Sequence, residues 1–347
     1  MAIQQDTYSP HGFRLGISKQ ATWGTAITDQ AAFLELWLTN RPEQASTPLM
    51  DETKRADGSS VHSILDRYIS EVGGEHTIAV EGVLTLAQAA HLIFGSVQYI
   101  TSEGADPFAK VFTLGAAVTP PSTVACILTV LIADPTGNNV MFKDCVFKTM
   151  TFSQAPGSAG GRVAFSGTLY TGCVVDTTSV TATPASWIAP GTAYYGLSNL
   201  DIPTINVSGG GALDVVVFGW SLTIDNGAKV YPAFDSSGHA LGMAIGAGTA
   251  GIAITGELSV KYDTNTKSAY GDFLAGSMMV ISLPFYATTS TDLSFVINAR
   301  HKAQPTKDFG SDSGVQITYN FEAINNPTGP VSALVVTVED GTDRSWA

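Results

Sequence analysis

Charge is what this 347-residue chain has least of: 14% of its residues are Asp, Glu, Lys or Arg, against about 25% in an ordinary soluble domain. The deficit falls hardest on cations. Seventeen Lys and Arg stand against 30 Asp and Glu, a formal charge of −13, so the clustered cations of a tight phosphate or nucleic-acid site are not expected, and the field of the chain repels polyanions. Cysteine is scarce too. Cys126, Cys145 and Cys173 are odd in number and widely spaced, with no C-x-x-C pair and no histidine at ligand spacing, which points to neither a disulfide framework nor a zinc site. No apolar run reaches the ~20 residues of a membrane span; "VACILTVLIAD", after a Pro-Pro, is too short. The opening "MAIQQDTYSPHGFRLG" has no charged start followed by an apolar core, so no membrane partner is expected and first residence is expected in the cytoplasm.

Catalytic patterns are equally thin. "GAGTAG" at 246–251 fits G-x-G-x-x-G as a string, but the period-2 stretch "IAITGELSVKY" follows it where a dinucleotide site needs a helix. "SGGGA" at 208–212 fails on the same ground. The histidines (His11, His62, His76, His91, His239 and His301) are isolated from one another, and the five tryptophans form no platform for sugars or bases. Asp51 with Glu52 and Asp308 with Asp312 sit in polar stretches where solvated charge is the ordinary explanation. A glycosidase could hide in such a set, since its two carboxylates need only meet in space, but nothing selects a pair. The expectation is a chain with no enzymatic activity, cofactor or metal.

What the chain has is glycine (35 residues) together with abundant Thr, Ser, Ala and Val, a β-rich composition. A surface with so few charges leaves neutral areas for a partner to cover, which argues for an oligomer. "VFKTMTFSQAPGSAGGRVAFSGTLYTG" (146–172) reads as two strands around a Gly/Ser turn. On its return arm Val163, Phe165, Gly167 and Leu169 alternate with Arg162, Ala164, Ser166 and Thr168, the period of a half-buried strand.

Two segments are near copies: "IAVEGVLTL" at 78–86 and "IAITGELSV" at 252–260, half a chain length apart. Each places its apolar residues on one face and a glycine, Gly82 or Gly256, in mid-strand, where another backbone is expected to come close. A short helix is expected after each, at "AQAAHLIFGS" and "KSAYGDFLAGS". Strands follow, with "TVACILTVLI" matched to "LSFVINARH" and "RVAFSGTLYTG" to "GVQITYNFEAI", and upstream "FLELWLTN" corresponds to "VFGWSLTIDNG". The boundaries read as an N-terminal arm at 1–25, a first domain at 26–175 with a long polar loop at 40–62, a Thr/Ser/Pro/Gly-rich linker at 176–211, a second domain at 212–325, and a C-terminal extension at 326–347 with one added strand, "ALVVTVE".

The two halves, their strand order, the single helix after each "IAxxGxL" strand and the "FKTMTFSQAPGSAGGRVAFSGTLYTG" ending together resemble the tail tube (major tail) proteins of long-tailed, non-contractile bacteriophages, in the larger form that carries two tube domains. The resemblance implies a mainly β fold of two tandem β-sandwich or split-barrel domains, each with one short helix. It implies a virion protein assembled in the host cytoplasm, closing into trimeric, pseudo-hexameric rings. Those rings would stack into a tube around a tape-measure protein, meet tail terminator and distal tail proteins, and conduct DNA in transit during ejection. By resemblance the lumen-lining strands carry Lys148, Met150, Phe152, Arg162, Ala164, Ser166 and Thr168, with Gln316, Thr318, Asn320 and Glu322 in the second half. Which face of each strand lines the lumen stays open. The inter-ring loop would carry Arg41, Glu43, Asp51, Glu52, Lys54, Arg55 and Asp57. The reading that competes is a capsid or tail decoration protein, or an adhesin-type β-sandwich binding module that does not polymerise.

Overall fold

The computed structural model describes residues 12–22, 24–52, 67–97, 100–103, 109–114, 127–155, 161–176, 180–191, 200, 203–207, 212–234, 240–244, 252–274, 277–286, 293–310, 314–324 and 332–339. Within them the chain is mainly β, with one 19-stranded antiparallel sheet, a separate two-stranded hairpin and two α-helices. The first half supplies β1 (Arg14–Gln20), β2 (Leu34–Glu35), β3 (Glu43–Glu52), β4 (Arg67–Val83), α1 (Leu86–Val97), β5 (Ile100–Glu103), β6 (Ala109–Leu114), β7 (Ile127–Ala133), β8 (Val140–Gln154), β9 (Ala164–Thr171) and β10 (Cys173–Asp176). The second supplies β11 (Thr204–Val207), β12 (Ala212–Asp214), β13 (Val217–Asp225), β14 (Lys229–Phe234), β15 (Ala240–Ala244), β16 (Ala253–Lys261), α2 (Thr264–Leu274), β17 (Met279–Phe285), β18 (Leu293–His301), β19 (Thr306–Asp308), β20 (Gln316–Ala323) and β21 (Leu334–Glu339).

Each near-copy is a strand followed by a capped helix. Before α1, the Gln88 side chain accepts from the Thr85 backbone N–H at 3.2 Å. Before α2, Asp263 accepts from the backbone of Asn265 and Thr266, while Thr266 Oγ1 accepts from the Asp263 N–H at 2.8 Å. Such bonds, one-sided at α1 and reciprocal at α2, satisfy donors that a helix N-terminus otherwise leaves orphaned. The glycines carry the stronger likeness. Gly82 pairs with Phe165 and Gly256 with Phe321, and each ring lies over its glycine. A Cβ on Gly82 would sit 2.1 Å from the Trp37 carbonyl and 2.7 Å from the Phe165 ring; on Gly256 it would sit 2.5 Å from the Ser221 carbonyl and 2.3 Å from the Phe321 ring. Only hydrogen fits in either place.

The halves are fused, not merely adjacent. β8 has two partners in each half of its length: β7 and β10 at its start, β9 and β13 at its end, so a long strand of the first half pairs directly with one of the second. The C-terminal strand makes a second seam, with β21 pairing β18 on one side and β6 on the other. Beneath these seams the core is continuous. Phe152, Trp220, Phe285 and Phe295 pack with ring centroids 5.5–6.4 Å apart, and Trp220 Nε1 donates to Gln154 Oε1 at 2.9 Å across the joint.

Several expected boundaries change on these facts. Residues 14–20 of the expected arm form β1, paired with β7 and β2. The expected linker is docked: Trp187 is buried against Phe33, its indole N–H donates to Gln30 at 3.1 Å, and β11 pairs with β17. Half of the expected polar loop is strand, since β3 pairs β4 from Glu43↔Ala79 to Glu52↔Arg67. Residues 53–66 lie outside the described residues, as do "GAGTAG" and most of "SGGGA".

The counterpart of β7 is β17, a strand not singled out in the sequence, because β7 pairs β8 as β17 pairs β18. Nor does β7 alternate in burial. All seven of its residues are buried, because Leu128, Val130 and Ile132 face the main core while Leu131 and Ala133 face a satellite core with Phe33 and Trp187.

Candidate functional site

The register of the sheet draws two rows straight through both halves. On the core face the row is Leu38, Gly82, Phe165, Phe152, Leu222, Gly256, Phe321 and His301, each paired with the next. Its second four positions repeat the strand order of its first four. One residue over, on the opposite face, the row is Glu81, Ser166, Thr151, Thr223, Thr255, Glu322 and Arg300, and the Thr39 N–H, donating to the Glu81 carbonyl at 2.9 Å, extends it.

This opposite face is mostly polar, with Ser, Thr and Ala between a few charged side chains. Flanking rows run Ala79, Thr168, Thr149, Asp225 and Ala253, then Ala164, Ser153, Ser221, Glu257 and Asn320. Hydroxyls bridge neighbouring strands, with Thr151 Oγ1 2.9 Å from Thr223 Oγ1 and Ser259 Oγ 2.8 Å from Thr318 Oγ1. Across the three rows Glu81, Asp225, Glu257 and Glu322 are the acids and Arg300, ion-paired with Glu322, is the base. A depression of 340 Å³ lies over Glu43, Glu81, Thr149, Thr151, Ser166 and Thr168, and another of 530 Å³ over Ser153, Ser221, Glu257, Ser259 and Gln316. Among the described residues no group of three or more His, Cys, Asp or Glu could hold a metal ion, and no helix is long and apolar enough to cross a membrane.

The expected lumen residues divide cleanly. Ala164, Ser166, Thr168, Gln316, Thr318, Asn320 and Glu322 lie on this polar face, alternating with buried neighbours, and Arg162 is half-buried just before β9. Met150 and Phe152 do not: both are fully buried in the core, and Thr149, Thr151 and Ser153 hold the polar-face positions of β8. A bulge is the cause. Between Phe147↔Leu169 and Thr149↔Thr168 the register shifts by one residue, leaving Lys148 as the extra residue, its ammonium 4.8 Å above the Tyr170 ring. Phe147 and Met150 are both core residues three apart, a spacing that period 2 forbids without a bulge. The Tyr170 hydroxyl is pushed up to about 12, chiefly by burial with the Glu75 carboxylate adding, so it stays protonated at neutral pH.

Of the expected loop residues, Arg41 and Glu43 are exposed at the edge of this face. Asp51 and Glu52 belong to β3, and Lys54, Arg55 and Asp57 lie outside the described residues. The second-half contribution from β13 and β16 was not foreseen, although the alternation Ser221, Thr223, Asp225 against Trp220, Leu222, Ile224 is plain in "WSLTID".

A second buried site shapes β8. Asp144 adopts a left-handed backbone, φ 54°, where its strand turns from β7 and β10 towards β9 and β13. Its carboxylate accepts from Gln20 Nε2 and from the Gly24 N–H at 2.8 Å, while Gln20 Oε1 accepts from the Asp144 N–H and from Thr129 Oγ1. Burial pushes the carboxyl above its ordinary value, and the bonds from Gly24 and Gln20 oppose that only in part. The cluster ties Gln20 and Gly24 to the bend.

No family model matches the chain, and no curated protein matches it significantly.

Proposed function

We propose that this chain is a structural subunit that closes into rings, and that the rings stack into a tail tube of the kind its sequence resembles, with the polar sheet face lining the channel. The single observation that carries the reading is the polar row crossing seven strands from β4 to β18, built by both halves in one register. A sheet that long with one polar and one apolar face needs its edges managed, and closing it on further copies of itself removes them. On this reading the chain is two tandem tube domains whose repeat makes a trimer pseudo-hexameric. Three copies would place about 24 strands around the lumen, a wall roughly 40–50 Å across between backbones at ordinary strand spacing and tilt. The Ser/Thr surface with excess carboxylates gives passing phosphates few cations to bind, which suits a conduit for DNA. A head-to-tail ring also has two unlike end faces that stack without limit, and the β3–β4 hairpin, whose outer part extends beyond its pairing with β9, is placed to reach an adjacent ring. The tape-measure protein would occupy the same lumen, with terminator and distal tail proteins at the ends, and the virion tail is the location that follows.

Negative-stain electron microscopy across a concentration series tests this, since ring closure follows mass action. Hollow rings or tubes are expected. Compact monomers at every concentration would overturn it in favour of a decoration or adhesin-type module.

A further inference from the structure

The internal repeat specifies how one copy meets the next. In the second half, Leu222 is held between Gly256 on one side and Phe152 of the first half on the other. In the first half, Leu38 faces Gly82 in the same way, yet among the described residues no strand pairs with the outer edge of Leu38–Arg41. At the far end of the row, His301 takes the place of Phe152: Phe152 pairs with Phe165, the partner of Gly82, and His301 pairs with Phe321, the partner of Gly256. The β17 pairing of β18 stops at Ala299, much as the β7 pairing of β8 stops at Cys145 before β13 takes over at Thr149. The chain therefore presents one end shaped like β13 and another shaped like the end of β8.

We infer that a second copy supplies the missing partner: the end of β18 beyond its β17 pairing, Arg300 to Lys302, lies antiparallel along Trp37–Thr39 of the neighbouring copy, with His301 opposite Leu38 and Arg300 opposite Thr39, repeating the Thr151–Ser153 part of the β8–β13 seam. This rests on the ring reading above and adds its register. Three observations support a copy of this chain as the occupant. The seam to be repeated already exists inside each chain, so the joint continues an established interface. A groove of 480 Å³ runs beside the edge, lined by Phe13, Leu15, Leu36, Trp37 and Leu38. Charge is complementary in the main as well: Arg300 and Lys302 approach an edge carrying Glu43 and Glu81 beside the Arg14–Glu35 ion pair, with Arg41 a like charge, and the register sets Lys302 opposite Trp37, where an ammonium can rest on the indole face. Arg300, already paired with Glu322, would bridge to the Glu81 side of the neighbour, closing the polar row around the ring.

Paired cysteines read the register. Thr39 and Arg300 are exposed, so Thr39→Cys with Arg300→Cys leaves the core untouched, and the internal counterpart Thr151–Thr223 shows that side chains at this position touch. The assembled double variant is oxidised with copper phenanthroline beside each single variant and beside Arg41→Cys with Arg300→Cys, shifted by two residues. Non-reducing gels are expected to show covalent dimers and trimers for the 39/300 pair, formed at least tenfold faster than for the 41/300 pair or either single variant. Rings in the microscope without that cross-link, equal rates for both pairs, or a product of monomer mass would overturn the register while leaving the ring reading standing. No oligomer at any concentration would overturn both.

Discussion

The two helices follow equivalent strands and are not equivalent. In α1, "LAQAAHLIFGSV", Ala87, Ala89, Leu92, Ile93 and Phe94 are buried, and the helix packs against β8, β6, β21, β1 and β13, under both seams that join the halves. In α2, "TNTKSAYGDFL", Thr264 and Lys267 are exposed and the helix packs on β11 and β12 at the outside of the second half. A duplicated plan has been spent on two different jobs: one helix is the keel of the fusion, the other a cover. The backbone devices under strain of space, the Gly82–Phe165 and Gly256–Phe321 pairs, stayed alike because they are set by close backbone approach. The helix surfaces diverged because they answer to their neighbours.

Breaking the shared aromatic core should have the largest effect. Trp220→Ala removes an indole from the aromatic joint and strands Gln154, and should cost about 3–5 kcal/mol. Because the core is continuous, hydrogen exchange should show protection falling in β8 and β18 together; loss confined to the second half would mean two separate cores. Next come the glycines. Gly82→Val and Gly256→Val each drive a side chain into a carbonyl and a ring, at a cost of about 3 kcal/mol, and calorimetry should find the two within about 1 kcal/mol of each other if the devices are equivalent.

The bend at Asp144 has no counterpart among the positive-φ residues of the second half's described strands, and titration can isolate it. Its carboxyl is raised by burial, so its contribution to stability is fully present below the carboxyl's unfolded value and is lost as pH rises through the higher folded value. Asp144→Asn removes the charge, retains an oxygen that can accept from Gly24, and suits a left-handed backbone. The variant should therefore melt above the wild type at pH 7–8, with the gap shrinking as pH falls into the carboxylate range; a gap independent of pH would show that Asp144 is not the group responsible. Smallest is Arg300→Ala. Its ion pair with Glu322 is largely solvated, so monomer stability should change by less than about 1 kcal/mol, while assembly weakens.

Much of this was legible in the sequence, and the limits have physical causes. The period-2 alternation placed the return arm of the 146–172 hairpin and "GVQITYNFEAI" on their observed faces, and the mid-strand glycines marked close approach. Register was harder, because one bulge residue, Lys148, flips everything after it, although the polarity of Thr149, Thr151 and Ser153 already favoured them over Met150 and Phe152. Docking of β1, β11 and β21 was not legible: short strands flanked by Pro and Gly look like linkers until a distant edge, such as β18 with β6 beyond it, offers hydrogen bonds.

Native mass spectrometry of the smallest closed assembly tests the central claim most directly, since the proposed pseudo-hexameric ring requires threes. The account predicts a species of three 36.3 kDa chains with higher masses in multiples of that ring. A monomer at every concentration, or an open ladder with no preference for three, would contradict it.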